Sequence, residues 1–198
     1  MVKFPSKITM KTSLIRRTTV FSLAAICASS LVFAQEIDPS KPADIQPVQA
    51  TTNSKKDDPD PHKWWRGGCA RIDKDIKKME GKLDIALVGD SITARWGGES
   101  WAKHWGGYRA VNMGIGGDQT QHVLWRLQNG ELEGYKAKLF VVMIGTNNCW
   151  GKTTVPENVA AGVKAVLDLI QSKQPQAKIL LMSILLSLIH ISEPTRPE

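Results

Sequence analysis

Cysteine is scarce in this chain: three in 198 residues, at Cys27, Cys69 and Cys149. No Cys-x-x-Cys and no His-x-x-x-His occurs, so the spacing offers no zinc site, and no metal or cofactor is expected. No apolar run reaches the ~20 residues of a membrane-spanning helix, so no stable span is expected. Lys and Arg do not cluster among aromatics, which leaves nucleic-acid binding without support. The pair Gly114-x-Gly116 lacks a third glycine at dinucleotide spacing, so a Rossmann fingerprint is not met. Internal repeats are also absent.

What is present begins with a leader. Lys3, Lys7, Lys11, Arg16 and Arg17 form a basic start without an acid, and Thr19 to Ala34 is apolar and small. This pattern predicts a signal peptide (residues 1–34) cleaved near Ala34, and hence a periplasmic or extracellular protein. The formal net charge of +7 then belongs mostly to the leader, because without it 21 basic residues face 19 acidic ones. Of the two cysteines that remain, Cys69 and Cys149, the sequence does not say whether they pair.

Residues 35–60 hold four prolines and no apolar period, and read as a solvated linker. A folded domain is expected over residues 61–185. Arg71 to Glu80 reads as a short helix. Near-continuous apolar runs at Leu83–Val88, Ala110–Met113, Lys138–Ile144 and Ala177–Ile184 fit strands buried on both faces. Val159, Val163, Val166, Leu167 and Ile170 recur at helical spacing, with Thr154 and Glu157 as a capping box in front and Pro175 behind. Asp118 and Gln121 suggest a similar start before Val123, Leu124 and Leu127. Alternating strands and helices imply a parallel sheet with helices on both faces. The turns at Gly89, Gly114–Gly117 and Gly145 should then gather beyond the carboxyl ends of the strands, where such sheets bind ligands.

Those turns carry the polar residues of interest. Ser91, in Gly89-Asp90-Ser91-Ile92-Thr93, follows the first strand, and reads either as a nucleophile beside its own N–H or as a helix cap. Gly116-Gly117-Asp118 follows the second strand, where glycine lets the backbone approach a ligand. Asn147, in Gly145-Thr146-Asn147-Asn148, follows the third, and is either an amide donor or an ordinary turn residue. His104 and His122 are candidate bases only if no other exists. Trp64, Trp65, Trp96, Trp101 and Trp105 line either a sugar or acyl site or the core.

Together the three turns resemble blocks I, II and III of the SGNH (GDSL-type) hydrolases. The stretch Asn112 to Gly134 and the turn Gly145 to Asn148 look like the catalytic subunits of intracellular platelet-activating-factor acetylhydrolase and their bacterial relatives. The resemblance implies a three-layer α/β/α flavodoxin-like parallel sheet, incomplete at the C-terminus. It implies Ser91 as nucleophile, with the Ser91 and Gly117 amides and the Asn147 side chain as an oxyanion hole. The implied substrate is a small-molecule or polysaccharide ester carrying a short acyl group such as acetyl, on a carbohydrate or a lipid.

The family takes its base from a late Asp-x-x-His block, and that pattern is absent here. Residues 186–198, from Leu186-Ser187-Leu188-Ile189-His190 onward, read as the translation of a transposase-type sequencing adapter rather than as native protein. The expectation is therefore an active ester hydrolase in full-length form and an inactive literal chain, since a serine without a base is a poor nucleophile. The alternatives are a catalytically dead fragment and a flavodoxin-like or glycan-binding module.

Overall fold

A computed structural model of the chain describes residues 38, 40–41, 43–50, 60–149 and 155–184; the expected leader and the stretch from residue 185 lie outside them. Four parallel strands form one sheet: β1 (Lys82–Gly89), β2 (Ala110–Gly114), β3 (Lys136–Met143) and β4 (Lys178–Leu181), in the order β2-β1-β3-β4. Alternating elements and this order give the flavodoxin-like α/β architecture.

Handedness sorts the helices. Right-handed crossovers place the β1-to-β2 connection on one face and the β2-to-β3 and β3-to-β4 connections on the other, because the first steps leftward in the sheet and the others rightward. The first connection holds α2 (Ser91–Ala94) and α3 (Gly98–Trp105). The others hold α4 (Thr120–Arg126) and α5 (Pro156–Lys173). They share their face with α1 (Lys63–Lys77), which precedes β1. Here lies the main core: Trp65, Ile72 and Ile76 of α1, Val123 and Leu124 of α4, and Val166 and Ile170 of α5 pack against Ala86, Val88, Met113, Phe140 and Val142. The opposite face is thinner, with Ile85, Leu87 and Val141 under Trp101 and Trp105 of α3.

Four local expectations need correction. Helix α1 begins at Lys63, not Arg71, and ends at Lys77. Gly67 and Gly68 weaken helical preference, yet a Cβ at Gly68 would sit 3.0 Å from the Ile115 side chain. The missing side chain admits Ile115, and burial of Trp65, Ile72 and Ile76 outweighs the propensity loss of about 1 kcal/mol per glycine. The N-cap of α5 is Val155 with Pro156 behind it, a proline at the position where its missing N–H costs nothing. Glu157 then lies in the first turn, and Thr154 is outside the described residues. At α4 the capping pair is Gln119 and His122, not Asp118 and Gln121.

The fourth concerns the expected linker. Residues 43–50 are packed rather than solvated. Ala43–Ile45 forms a 3-10 turn, and the Asp44 carbonyl accepts from the Thr120 hydroxyl at 2.8 Å. The Asn148 amide donates to the Asp44 carboxylate, Val48 N–H donates to the Gln121 carbonyl at 3.2 Å, and Ala50 is buried.

The strands end in step. Gly89 lies opposite Gly114 on β2 and opposite Met143 on β3. Gly114 is where α2 folds back on the sheet: a Cβ there would come within 2.3 Å of the Ala94 nitrogen and 2.9 Å of the Asp90 carbonyl oxygen. All of these neighbours are backbone and cannot swing away. Gly114→Ala is therefore expected to destabilise the fold by about 3 kcal/mol or more in urea melts. A loss below about 1 kcal/mol would mean that α2 moves freely against β2.

Candidate active site

The site is built where β1, β2 and β3 deliver their following turns to one rim. Strand order reverses direction between β1 and β3, which makes their carboxyl ends a switch point, the place where such sheets bind ligands.

Asp90 ends the first turn. It is buried, and its carboxylate accepts from Ile92 N–H at 2.9 Å. Burial pushes its carboxyl above the ordinary value, with backbone hydrogen bonds pulling it back. Asp90 thus holds the turn that presents Ser91. Among the described residues neither the Ser91 hydroxyl nor its N–H has a hydrogen-bond partner. The helix that follows is one turn long, too short for a substantial dipole. Any stabilisation of negative charge here falls to individual N–H groups.

The second turn runs alongside. Gly116 is so close that a Cβ on it would lie 3.8 Å from the Ser91 Cβ. Gly117 has φ +78, the left-handed region that glycine adopts without strain. Among the described residues the Gly117 N–H is also unpartnered. Asn112, just before, fixes the strand end: its amide donates to the carbonyls of Thr93 (2.8 Å) and Trp96 (3.0 Å), and its oxygen accepts from Gly114 N–H at 2.9 Å.

The third turn is the 3-10 segment Thr146–Cys149. Its two asparagines divide the labour. Asn148 is buried and clamps the N-terminal segment, exchanging hydrogen bonds with Thr120 at 3.0 Å in each direction. Asn147 is partly exposed and donates one amide hydrogen to the Asp118 carbonyl at 2.8 Å. An amide carries two such hydrogens, so the second remains for a ligand. The structure therefore brings the Ser91, Gly116–Gly117 and Asn147 turns together.

The histidines stand elsewhere. His122 Nδ1 accepts from Gln119 N–H at 3.0 Å, and burial, with the nearby Arg126 charge, holds its pKa down at about 4. His104 lies in α3 beside Trp96 and Trp105. Among the described residues no histidine is hydrogen-bonded to Ser91. Cys69 and Cys149 are free thiols, and burial pushes both above the ordinary thiol value.

Beneath the rim lies a network that sequence reasoning missed. Arg126, 1% exposed, donates from Nε to Asp118 at 2.9 Å and from one terminal nitrogen to Glu131. The other donates to the Met113 carbonyl at 2.8 Å and to the Gly89 carbonyl at 3.4 Å. Trp65 Nε1 donates to the second Asp118 oxygen at 2.7 Å. Burial pushes the Asp118 carboxyl up to about 6, against the pull of Arg126 and Trp65. The one available signal was Arg126 itself, a charge among the apolar positions Val123, Leu124 and Leu127 with an acid five residues on.

A family model described as GDSL-like Lipase/Acylhydrolase matches residues 87–197, which include all three turns. The chain belongs to this family. Among curated proteins, this GDSL-family chain is 43% identical to Platelet-activating factor acetylhydrolase IB subunit alpha2 of Homo sapiens over 122 residues, 61% of this chain and 51% of that protein. It is 38% identical to the alpha1 subunit of Homo sapiens over 152 residues, 76% of this chain and 59% of that protein. The alpha1 subunit of Bos taurus matches at 38% over 147 residues, 74% of this chain and 56% of that protein. The chain thus spans about half the length of the curated relatives it matches. These relatives contradict the exported location read from residues 1–34, because they are cytoplasmic proteins. Residues 1–34 lie outside the described part, and among the described residues no helix is long and apolar enough to cross a membrane.

Two measurements probe this frame. Arg126→Met leaves two buried carboxylates uncompensated and is expected to cost about 3–5 kcal/mol in urea unfolding. Trp65→Phe removes one hydrogen bond and part of a buried ring but strands no charge, and should cost less; a loss below about 1 kcal/mol in Arg126→Met would mean that the ion pairs add nothing. For His122 the folded pKa of about 4 lies below the ordinary 6.5. Between those values the unfolded chain takes up a proton that the folded ring refuses, so stability falls as pH drops from 6.5 towards 4, by up to roughly 3 kcal/mol from this ring. Asp118, with its raised pKa, acts in the opposite sense between its ordinary 3.8 and about 6. The comparison is therefore with His122→Gln, which keeps an acceptor for Gln119 N–H and should lose the acid-side decline; an unchanged pH profile would refute the assignment.

Proposed function

We propose that the protein hydrolyses short-chain acyl esters, of a carbohydrate or a lipid, by acyl transfer through Ser91. One observation carries this reading: a serine with an unpartnered hydroxyl stands at the switch point of the sheet, beside unpartnered backbone N–H groups and a side-chain amide with a hydrogen to spare. Membership of an acylhydrolase family supports it.

In the proposed mechanism the Ser91 Oγ attacks the ester carbonyl. Negative charge then moves onto the carbonyl oxygen, which receives the Ser91 and Gly117 N–H groups and the free Asn147 amide hydrogen. Each such donor typically lowers the barrier by ~3–4 kcal/mol, because it is already aimed where the charge forms. The alcohol leaves, and water releases the acyl group from Ser91. The proton of Ser91 needs a base, which the SGNH resemblance implies in an Asp-x-x-His block, a pattern this sequence does not contain. His122 is unsuited to that role, since its Nδ1 is engaged by Gln119 and its pKa is low.

The test pairs turnover with labelling in the whole protein. Ser91→Ala should abolish labelling by a fluorophosphonate and lower kcat/KM on acetyl esters at least a thousandfold. Asn147→Ala should lower kcat about a hundredfold with little change in KM, as expected for a donor used in the transition state. Undiminished turnover in folded Ser91→Ala would end the reading.

A further inference from the structure

Trp64 is the least expected residue at the rim. It is the second residue of α1, immediately before Trp65, and the two indoles have opposite fates. Trp65 is fully buried in the Asp118 network, whereas Trp64 is 56% exposed. Its position is nonetheless defined. Gly116 lies in contact with the edge of its benzene ring: a Cβ on Gly116 would meet Trp64 Cη2 at 3.4 Å and Cζ2 at 3.7 Å, and the Ser91 Cβ at 3.8 Å. One small residue therefore separates the indole from the nucleophile-bearing side chain. Any larger residue at 116 would fill the space between them.

We propose that Trp64 is a stacking platform for a sugar ring, and that the alcohol half of the ester is a neutral carbohydrate. This rests on the acyl-transfer reading of Ser91 for its place in a reaction, though not for its existence as a binding site. The indole is anchored by one edge and so keeps a face open to solvent. A flat apolar face beside polar neighbours suits a pyranose ring, which has apolar C–H faces and a polar circumference. The surroundings favour a sugar over the other ester alcohols. Its chain neighbours Lys63 and Arg66 are exposed and charged, so the stretch of α1 that flanks Trp64 is polar, which suits a sugar's hydroxyls better than a lipid chain. The local charge is also wrong for a quaternary ammonium head group over the ring. Arg66 is paired with Asp60, while Lys63 has no acidic partner among the described residues. Lys63 thus leaves an uncompensated positive charge on the same turn of α1, which disfavours a second cation there.

The test observes the indole directly. In the whole protein, the Trp64 indole N–H resonance is assigned by its loss in Trp64→Phe. It is then followed during titration with an O-acetylated xylo-oligosaccharide, with glycerol triacetate, and with an acetylated phosphocholine lipid in micelles. The expected result is a saturable shift with the sugar ester alone, and a Kd weakened about tenfold or more in Trp64→Ala but less in Trp64→Phe, which keeps a smaller ring. A shift produced only by the lipid, no shift with the sugar, or equal sugar affinity in Trp64→Ala would each overturn the proposal. Fluorophosphonate labelling of Ser91 separates the two readings. If Ser91 labels and Trp64 does not respond to sugar, the platform fails alone. If Trp64 responds and Ser91 does not label, the platform stands and the hydrolase reading fails.

Discussion

The arrangement depends on one buried guanidinium. Arg126 reaches the last residue of β1 through the Gly89 carbonyl, the end of β2 through the Met113 carbonyl, and the following turn through the Asp118 carboxylate. A buried charge is costly unless paired, and here two acids face it. Pairing makes the network a poor source of net stability and a strong source of geometry, because any displacement strands a charge away from water. Asp118 passes the constraint on, since its backbone carbonyl receives the Asn147 amide. Two links therefore connect the core to the third turn. The planar fork of arginine, with its several fixed donors, suits such a junction better than a lysine would.

Much of the architecture was legible because it follows from local pattern. Apolar runs such as Leu139-Phe140-Val141-Val142 mark a strand covered on both faces, and β3 is such a strand. The spacing of Val159, Val166 and Ile170 marks the inward face of α5, and all three are buried. Glycines at strand ends marked the rim. What was illegible depends on contacts between distant residues. Asp118 looks like a helix cap from its neighbours, but its partners are Trp65, 53 positions away, and Arg126. The start of α1 was hidden by Gly67 and Gly68, and the role of Gly68 is visible only once Ile115 is placed against it. The packing of residues 43–50 was equally invisible, since a proline-rich stretch reads as solvated until Thr120 and Asn148 supply partners for Asp44.

The site itself shows why motif and mechanism are separate questions. Ser91 as a helix cap and Ser91 as a nucleophile predict the same local sequence. The structure separates the two roles by giving the cap to Asp90, whose carboxylate takes the Ile92 N–H. The Ser91 hydroxyl is thereby released from local hydrogen bonding. The turn at Asn147 and Asn148 resolves in the same way, with the buried residue doing the clamping and the exposed one keeping a spare hydrogen. At each turn, the structural duty falls to the neighbour of the residue with candidate chemistry.

That division has an energetic reason. A donor or nucleophile is useful only if it is held in place without spending its own hydrogen bonds on being held. The one-turn helix after Ser91 cannot contribute a large dipole, so preorganisation must come from rigid neighbours: Asp90 for Ser91, Asn112 for the end of β2, and Asp118 for Asn147. Gly117 fits the same logic. Its φ of +78 turns its N–H out of the local hydrogen-bonding pattern, and a side chain there would add strain of about 1 kcal/mol or more. Gly116, its neighbour, is under no such strain, and a Cβ on it would meet the indole of Trp64 at an ordinary contact distance of 3.4 Å. Of the two adjacent glycines, backbone direction therefore constrains Gly117, while Gly116 keeps the space between the indole and the Ser91 side chain open.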